Sequence, residues 1–201
     1  MTSLLIPHAV TPLEVDLTSV AASLTDAQFY QLCKANPNLR IERTAKGQVI
    51  VMPPVFSDTG NRNFNIAVKL GVWAEKDATG LGFDSSAGFT LPNGATRSPD
   101  ASWILLERWN ALKPEEQASF APICPDFVIE LRSSSDSLKA LKSKLEEYVQ
   151  NGVKLGWLID RKGKTAHIYR PGLQPAVLAD PASLDASPEL PGFRLEMARV
   201  W

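Results

Sequence analysis

Apolar residues along the chain follow strand-like and helix-like spacings in turn. Two short apolar runs, Phe127–Leu131 and Leu155–Asp160, have the length and the bulky residues of buried strands. Between them, residues 136–150 carry apolar side chains at helical spacing, and Asn151-Gly152 is a typical helix stop. The pattern therefore predicts a strand, a helix and a second strand in succession.

The N-terminal part of the chain predicts a short helix and a hairpin. Thr25-Asp26-Ala27-Gln28 has the form of a capping box, so a helix is expected over residues 26–35. The apolar and β-branched residues within 39–43 and 48–52 predict two strands, and Gly47 lies in the turn between them.

The middle of the chain predicts a longer helix, further strands and a short surface helix. Asp58 or Thr59 is the expected N-cap of the longer helix, and its predicted buried stripe comprises Phe64, Ala67, Val68, Leu70 and Trp73. One strand is predicted over residues 82–91, another opens with Ser98-Pro99-Asp100, and a short helix is predicted within residues 109–120. Later strands are predicted at residues 165–169 and 193–197.

Length and composition favour one globular domain. The chain has 201 residues, of which 44% are hydrophobic and 21% charged, close to the average for globular proteins. Since helices alternate with groups of strands, the predicted fold class is α/β (α+β), a mixed sheet flanked by helices. Residues 1–24 are predicted to be an N-terminal arm, and residues 25–201 a single domain.

Charge and targeting signals narrow the classes of function. The net charge of −1 argues against a chain that binds nucleic acid through its overall charge. No apolar stretch approaches the roughly 20 residues that cross a bilayer, and no signal peptide is visible, so we expect no membrane association and a cytoplasmic location. Cys33 and Cys124 lack zinc-ligand spacing, and we expect reduced thiols.

Two acids suggest a site for a cation. Asp100 lies at the opening of a predicted strand, and Glu130 lies in the middle of an apolar run. An acid at such a position loses its hydration unless a cation or hydrogen-bond donors meet it. If the two strands are neighbours, the two carboxylates come within roughly 5 Å and can share one hard cation. This arrangement suggests a metal-dependent phosphodiesterase.

The same residues allow other interpretations. Pro-Asp is a common turn dipeptide, and it recurs at Pro125-Asp126, so Asp126 is a second candidate acid. Glu130 could pair with Arg132 or a lysine for structure alone. Arg132 lies on the same strand face as Glu130, and Lys142 and Lys144 lie on opposite sides of the helix stripe. Periodicity does not choose between the two lysines.

A combination of segments resembles a known family. The segments are Ser98-Pro99-Asp100, the run from Asp126 to Ser133, Lys144-Leu145-Glu146-Glu147-Tyr148, Asn151-Gly152-Val153 and Gly156-Trp157-Leu158-Ile159-Asp160. Together they resemble the Uma family of restriction-endonuclease-like proteins, which is expanded in cyanobacteria and belongs to the PD-(D/E)XK nuclease superfamily. The resemblance extends from about Leu39 to the C-terminus.

The resemblance selects one lysine and adds one acid. In the superfamily pattern the lysine lies two residues after the second acid, where this chain has Arg132. The resemblance implies that the lysine has moved to the following helix, four residues before Tyr148, which selects Lys144. Glu42 matches an acid often seen in the family, as a metal-site or structural residue. Many relatives have a histidine after the second hairpin strand, whereas residues 57–61 contain none.

The resulting hypothesis is a Mg²⁺- or Mn²⁺-dependent endonuclease with a restriction-endonuclease-like fold. Asp100, Glu130 and the Leu131 carbonyl would bind the ion, and Lys144 would stabilise charge in the transition state. DNA is the expected partner, RNA fits the same residues, and the formation of a homodimer stays open. Phosphate contacts are expected from Arg40, Arg43, Lys46 and Arg97.

The alternative hypothesis is a nuclease-like domain that binds nucleic acid or a partner protein without turnover, because a fold does not fix a function. Two observations favour this alternative: the chain has Arg132 where the superfamily has a lysine, and its net charge is slightly negative. Metal affinity distinguishes the two hypotheses, since a nuclease of this kind needs the carboxylates of Asp100 and Glu130 to bind a divalent ion.

Overall fold

The computed structural model describes residues 13–15 and 24–201. Most of the predicted N-terminal arm lies outside the described residues. Its described part, Leu13–Val15, forms a strand that pairs antiparallel with Val49–Met52.

Five α-helices and thirteen strands make up the described residues. The helices are α1 (Asp26–Ala35), α2 (Ser57–Asp77), α3 (Leu106–Asn110), α4 (Pro114–Gln117) and α5 (Leu138–Gln150), followed by a 3₁₀ turn at Met197–Arg199. The strands are β1 (Leu13–Val15), β2 (Arg40–Arg43), β3 (Val49–Met52), β4 (Gly80–Asp84), β5 (Phe89–Thr90), β6 (Thr96–Arg97), β7 (Ala101–Leu105), β8 (Phe127–Leu131), β9 (Leu155–Asp160), β10 (Thr165–Tyr169), β11 (Ala176–Ala179), β12 (Ser183–Asp185) and β13 (Arg194–Glu196). In the part of the chain that the structure describes, none of the helices is long and apolar enough to cross a membrane.

The strands form a mixed architecture. The larger sheet has the order β11-β10-β9-β8-β7-β4, the second has the order β1-β3-β2-β6-β5, and β12 and β13 form a separate two-stranded sheet. In the larger sheet β8 and β9 are parallel and are joined by α5, whereas the other neighbours are antiparallel. The predicted α+β architecture, with a mixed sheet and flanking helices, is confirmed.

The central strand β8 is buried on both faces. On one face Ile129 belongs to the same core cluster as Leu70 of α2, and on the other face Val128 belongs to a cluster with Leu145 of α5. Side chains alternate along a strand, so Glu130 lies on the face of Val128 and points towards α5. The fold therefore directs an acid from the sheet towards the helix that carries the candidate lysine.

The buried face of α2 differs from the prediction. Its buried apolar residues form one series with a spacing of four: Ile66, Leu70 and Ala74. Phe64 is 66% exposed and Val68 is 41% exposed, so the predicted stripe was wrong about both residues. The helix also begins before the predicted caps Asp58 and Thr59, with Phe56 as its N-cap residue.

The strand predicted over residues 82–91 is two separate strands. A tight turn follows β4, because the Asp84 Oδ1 atom accepts hydrogen bonds from the backbone N–H (3.0 Å) and the hydroxyl (2.6 Å) of Ser86. After this turn the chain enters the second sheet as β5. A side chain that caps a turn in this way interrupts pairing even within an apolar pattern.

Gly80 and Gly71 give a matched pair of stability predictions. A Cβ atom on Gly80 would lie 2.3 Å from the Trp103 ring and 2.4 Å from the Ile104 carbonyl oxygen, whereas one on Gly71 has nothing within 4 Å. We expect Gly80→Ala to lower the free energy of unfolding by about 1–3 kcal/mol, because backbone and ring must move. Gly71→Ala should raise it by about 0.5–1 kcal/mol, since alanine is the better helix residue. Urea unfolding measures both, and equal effects would contradict the packing at Gly80.

The two cysteines should differ in reactivity. Cys124 is buried, and burial raises the pKa of its thiol to about 12, whereas Cys33 is only partly buried. The thiolate is the reactive form. We therefore expect a disulfide reagent at pH 8 to modify Cys33 in the folded protein and to reach Cys124 only after denaturation. Thiol counting before and after addition of guanidinium tests this; two fast equivalents in the folded protein would contradict it.

Candidate active site

A pocket of about 320 Å³ lies where the two sheets, α2 and α5 meet. Its walls come from β2, β3, the start of α2, the chain before β7, the end of β8 and the start of α5. Many of the residues predicted for the site line it: Arg40, Glu42, Asp100, Glu130, Leu131 and Lys144. The fold thus brings together residues that are far apart in the chain, such as Glu42 and Lys144, which are separated by 102 positions.

Asp100 is held by hydrogen bonds to both carboxylate oxygens. Its Oδ2 atom accepts from the backbone N–H of Leu131 (2.8 Å), and its Oδ1 atom accepts from Nδ2 of Asn63 (3.1 Å). The antiparallel register of β7 and β8 pairs Ala101 with Ile129, which brings Asp100 opposite Glu130. Residues opposite each other in such a pair have Cβ atoms about 5 Å apart, so the two carboxylates are neighbours.

Glu130 meets two donors from α5. Its Oε1 atom lies 2.8 Å from Nζ of Lys144 and accepts a hydrogen bond of 3.2 Å from the hydroxyl of Tyr148. Lys144 and Tyr148 are four residues apart and therefore lie on one face of the helix. The Glu130 residue is only 4% exposed, so these donors replace the water that it loses on burial.

Glu42, on β2, is the fourth of the charged residues that we call the charged floor of the pocket: Glu42, Asp100, Glu130 and Lys144. Its Oε1 atom accepts from Nζ of Lys144 (3.0 Å) and from the backbone N–H of Ser98 (3.0 Å), and its Oε2 atom accepts from Arg97 (3.2 Å). Lys144 therefore bridges two buried carboxylates, one from each sheet. Arg97 also binds Glu147 of α5 at 2.6 Å, which ties the second sheet to the helix.

The environment shifts the pKa of these groups in opposite directions. Burial raises the pKa of Glu130 to about 7. The attraction of Lys144 acts to lower this pKa, and the repulsion of Asp100 and Glu42 acts to raise it. Burial also raises the pKa of Asp100. Burial would also raise the pKa of Glu42, but the positive charges of Lys144 and Arg97 outweigh the effect of burial and hold the pKa of Glu42 below its usual value. Burial would lower the pKa of Lys144, but Glu130 and Glu42 outweigh it, so the lysine stays charged.

The donor set is chemically suited to a hard divalent cation. Asp100 and Glu130 offer neighbouring carboxylate oxygens whose mutual repulsion a cation would relieve. Within residues 13–15 and 24–201 no group of three His, Cys, Asp or Glu side chains is placed to hold an ion. Mg²⁺ is commonly bound through one or two carboxylates, with water completing the shell. The buried Oδ1 atom of Asn63 has no hydrogen-bond partner among the described residues and is an acceptor for such a water.

Comparison with protein-family models identifies the family of this chain. A family model described as "Putative restriction endonuclease" and named Uma2 matches residues 26–198. The chain belongs to the Uma2 family. This confirms the resemblance found in the sequence, and no curated protein matches the Uma2 chain.

A solved structure has the same fold as the Uma2 chain. It is the crystal structure of "a putative nuclease belonging to DUF820" from Anabaena variabilis ATCC 29413. The TM-score is 0.73 at 19% sequence identity, and the match covers 88% of the Uma2 chain and 96% of the other. The predicted restriction-endonuclease-like fold class is therefore confirmed, and family and fold together make the Uma2 chain nuclease-like.

Two of the candidate site residues, Arg132 and Asp126, do not line the pocket. The Arg132 guanidinium binds Asp160 at the end of β9 (3.0 Å) and donates to the Asp136 carbonyl oxygen, so the strand candidate for the positive charge is already paired elsewhere. Asp126 lies at the opposite end of β8 from Glu130 and binds Arg108 (2.9 Å) and Lys154. In the Uma2 chain Asp126 and Arg132 thus have contacts typical of structural residues.

The four residues predicted to contact phosphate differ in accessibility. Arg43 is 3% exposed and donates to the carbonyl oxygens of Leu24 and Gly94, and Arg97 is held between two glutamates. Both guanidinium groups are buried in the protein, which corrects their prediction as phosphate contacts. Lys46 is exposed in the hairpin turn but does not line the pocket. Arg40 lines the pocket, with one nitrogen 4.0 Å from Asp100.

Two residues of the site were not predicted for it. Asn63 holds Asp100, and Tyr148 holds Glu130. Thr59 and Asn63 occupy the first two positions of the inward-facing series that continues to Ile66, but the stripe predicted for α2 had another register, so no sequence signal pointed to Asn63. For Tyr148 the signal was a hydroxyl on a buried helix face, which needs a partner.

Proposed function

We propose that this chain is a divalent-metal-dependent nuclease that hydrolyses phosphodiester bonds of DNA at Asp100, Glu130 and Lys144. The observation that supports it most directly is the position of Lys144, whose Nζ atom lies 2.8 Å from Glu130 in the pocket that Asp100 also lines. Two neighbouring carboxylates with a lysine beside them are the groups that metal-dependent phosphodiester cleavage needs. Membership of the family described as "Putative restriction endonuclease" supports the same reaction.

Asp100 and Glu130, with the backbone carbonyl of Leu131, would hold Mg²⁺ or Mn²⁺. A bound ion of this kind lowers the pKa of a coordinated water and neutralises charge on a phosphate oxygen. Asn63 fixes the orientation of Asp100, and Tyr148 fixes that of Glu130. The site is thereby preorganised, which reduces the rearrangement needed when substrate binds.

Lys144 would act on the substrate as a charged donor. It is fully protonated at neutral pH because Glu130 and Glu42 hold its pKa above the usual value. Its Nζ atom can donate three hydrogen bonds, and two are made to Glu42 and Glu130. The third is available for a phosphate oxygen or the attacking water, where it would stabilise the negative charge that develops in the transition state.

The second candidate is a nuclease-like domain that binds nucleic acid or a partner protein without turnover. The observation that favours it is the pairing of Lys144 with two buried carboxylates, because a structural ion-pair network looks the same. Metal affinity and turnover separate the two candidates.

Cleavage of supercoiled plasmid tests the proposal. Purified protein should nick the plasmid with Mg²⁺ or Mn²⁺ and not with EDTA, and Asp100→Asn should abolish nicking, because it removes a carboxylate from the metal site. An RNA of the same sequence, assayed in parallel, distinguishes the substrates. No cleavage of either nucleic acid, together with no divalent-ion binding by calorimetry, would support the binding domain instead.

A further inference from the structure

One side of the pocket is apolar and exposed. It is lined by the end of β3 and by the segment that leads into α2, which we call the ledge: Pro53, Pro54, Val55 and Phe56. Phe56 is 52% exposed and Val55 is 46% exposed. The charged floor and the apolar ledge belong to the same pocket, so a ligand that fills it must offer both an anionic and an apolar part.

The ledge is held in one conformation by its sequence and by α2. Pro53 and Pro54 have fixed φ angles, and proline restricts the residue before it to extended conformations. Phe56 is extended (φ −64°, ψ 151°) and is the N-cap residue of α2, a helix of 21 residues anchored in the core. An aromatic ring on such a rigid support loses little conformational entropy when a partner stacks on it.

Electrostatic attraction to phosphates is weak in this chain. The net charge is −1, and Arg43 and Arg97 are already bound within the protein. Among the four residues predicted to contact phosphate, only Arg40 lines the pocket. Because few phosphate contacts give little binding energy at physiological salt, another attractive contact with nucleic acid is needed. Stacking of bases on aromatic side chains is the usual one for single strands.

We propose that Phe56 and the rest of the ledge bind an unpaired nucleobase beside the scissile phosphate, so that the chain acts on single-stranded or unpaired DNA in preference to continuous duplex. This substrate class rests on the proposed function of the same site. In a duplex both faces of every base are covered by neighbouring bases, so a base reaches an aromatic ledge only where it is unpaired or extruded. A volume of about 320 Å³ is at the lower end of the range for small-molecule pockets and suits a nucleotide-sized group.

Two phenylalanines of similar exposure make a matched pair of variants. Phe56 lines the pocket, whereas Phe64, which lies within α2 and is 66% exposed, does not. Both side chains are largely in solvent, so Phe56→Ala and Phe64→Ala should fold like the wild type, which thermal unfolding checks.

Binding is measured by fluorescence anisotropy with a labelled 12-nucleotide single strand and the corresponding duplex, both in EDTA. Wild type should bind the single strand at least about tenfold more tightly than the duplex. Phe56→Ala should weaken binding of the single strand by about 5- to 150-fold, the range for the loss of one stacked base. Phe64→Ala should change nothing, and Phe56→Ala should change duplex binding little.

The outcomes separate this inference from the proposed catalysis. Equal affinity of the two alanine variants for the single strand, with plasmid cleavage intact, would overturn the role of the ledge and leave the nuclease. A Phe56 effect on binding without cleavage in Mg²⁺ or Mn²⁺ would support the ledge and overturn catalysis. No binding of any strand would overturn the inference, whereas cleavage in Mg²⁺ or Mn²⁺ alone decides the proposed catalysis. If Phe56→Ala changes only the molar mass in light scattering, the ledge is a contact between copies of the chain and the inference is wrong.

Discussion

Glu130→Gln is expected to reduce metal-dependent cleavage at least about 10³-fold without lowering the free energy of unfolding. The loss of activity follows because a carboxylate of the proposed metal site becomes a neutral amide, and metal ions supply several kcal/mol of transition-state stabilisation. Stability should be kept because Glu130 is a buried acid with its pKa raised to about 7, and its charge is repelled by Asp100 and Glu42. Lys144 retains Glu42 as its partner.

Asp126→Asn is the matched control, because Asp126 is a buried acid at the other end of β8. It binds Arg108 and Lys154 and accepts from the backbone N–H of Leu105. We expect this variant to lose about 1–3 kcal/mol of stability, since charged hydrogen bonds are lost, and to cleave at nearly the wild-type rate. Plasmid cleavage and urea unfolding of both variants give the comparison. A destabilised Glu130→Gln with normal cleavage would make Glu130 a structural residue.

Lys144→Met is expected to impair both activity and stability. Methionine has a similar length but no charge, so two buried carboxylates lose a common partner. Removing one member of a buried ion pair costs about 3–5 kcal/mol, and we expect the lower end because Arg97 still neutralises Glu42. Cleavage should fall at least about 10²-fold, the usual loss when a donor to the transition state is removed. Urea unfolding and cleavage at a temperature where the variant is folded measure the two effects.

Two further variants separate the role of Lys144 in cleavage from its role in stability. Lys142→Met replaces the neighbouring lysine, which lies outside the pocket, and should leave activity and stability close to wild type. In Glu42→Gln/Lys144→Met one of the two carboxylates that lost the lysine becomes a neutral amide, so part of the lost stability should recover while cleavage stays low. Recovery of cleavage in the double variant would show that Lys144 acts only by maintaining the fold.

The local patterns predicted the elements around the site because those elements are strongly periodic. The apolar run of β8 and the stripe of α5 each have one arrangement that buries them, and the structure adopts it. The choice of Lys144 over Lys142 did not come from a local pattern. Both flank the stripe, and only the resemblance to the family selected the residue that the fold directs towards Glu130.

Other features depend on contacts that no local pattern encodes. Phe64 fits a helical stripe in the sequence, but the register of α2 against the sheet is set by Ile66 and Leu70, which leaves Phe64 in solvent. Strand β11 was missed because it is an exposed edge strand that gains its structure from pairing with β10. The burial of Arg43 likewise depends on carbonyl groups 19 and 51 residues away in the sequence.

The wide spacing of the site residues along the chain has a consequence for the order of folding. The lysine on α5 meets an acid on β2 that precedes it by 102 residues, and Asp100 and Asn63 come from two further segments. Contacts between distant segments form late, since a long loop must close first. During synthesis, a nascent chain that has not yet released α5 from the ribosome lacks the lysine altogether. The proposed activity therefore cannot appear before α5 has been made and has folded against β2 and β8.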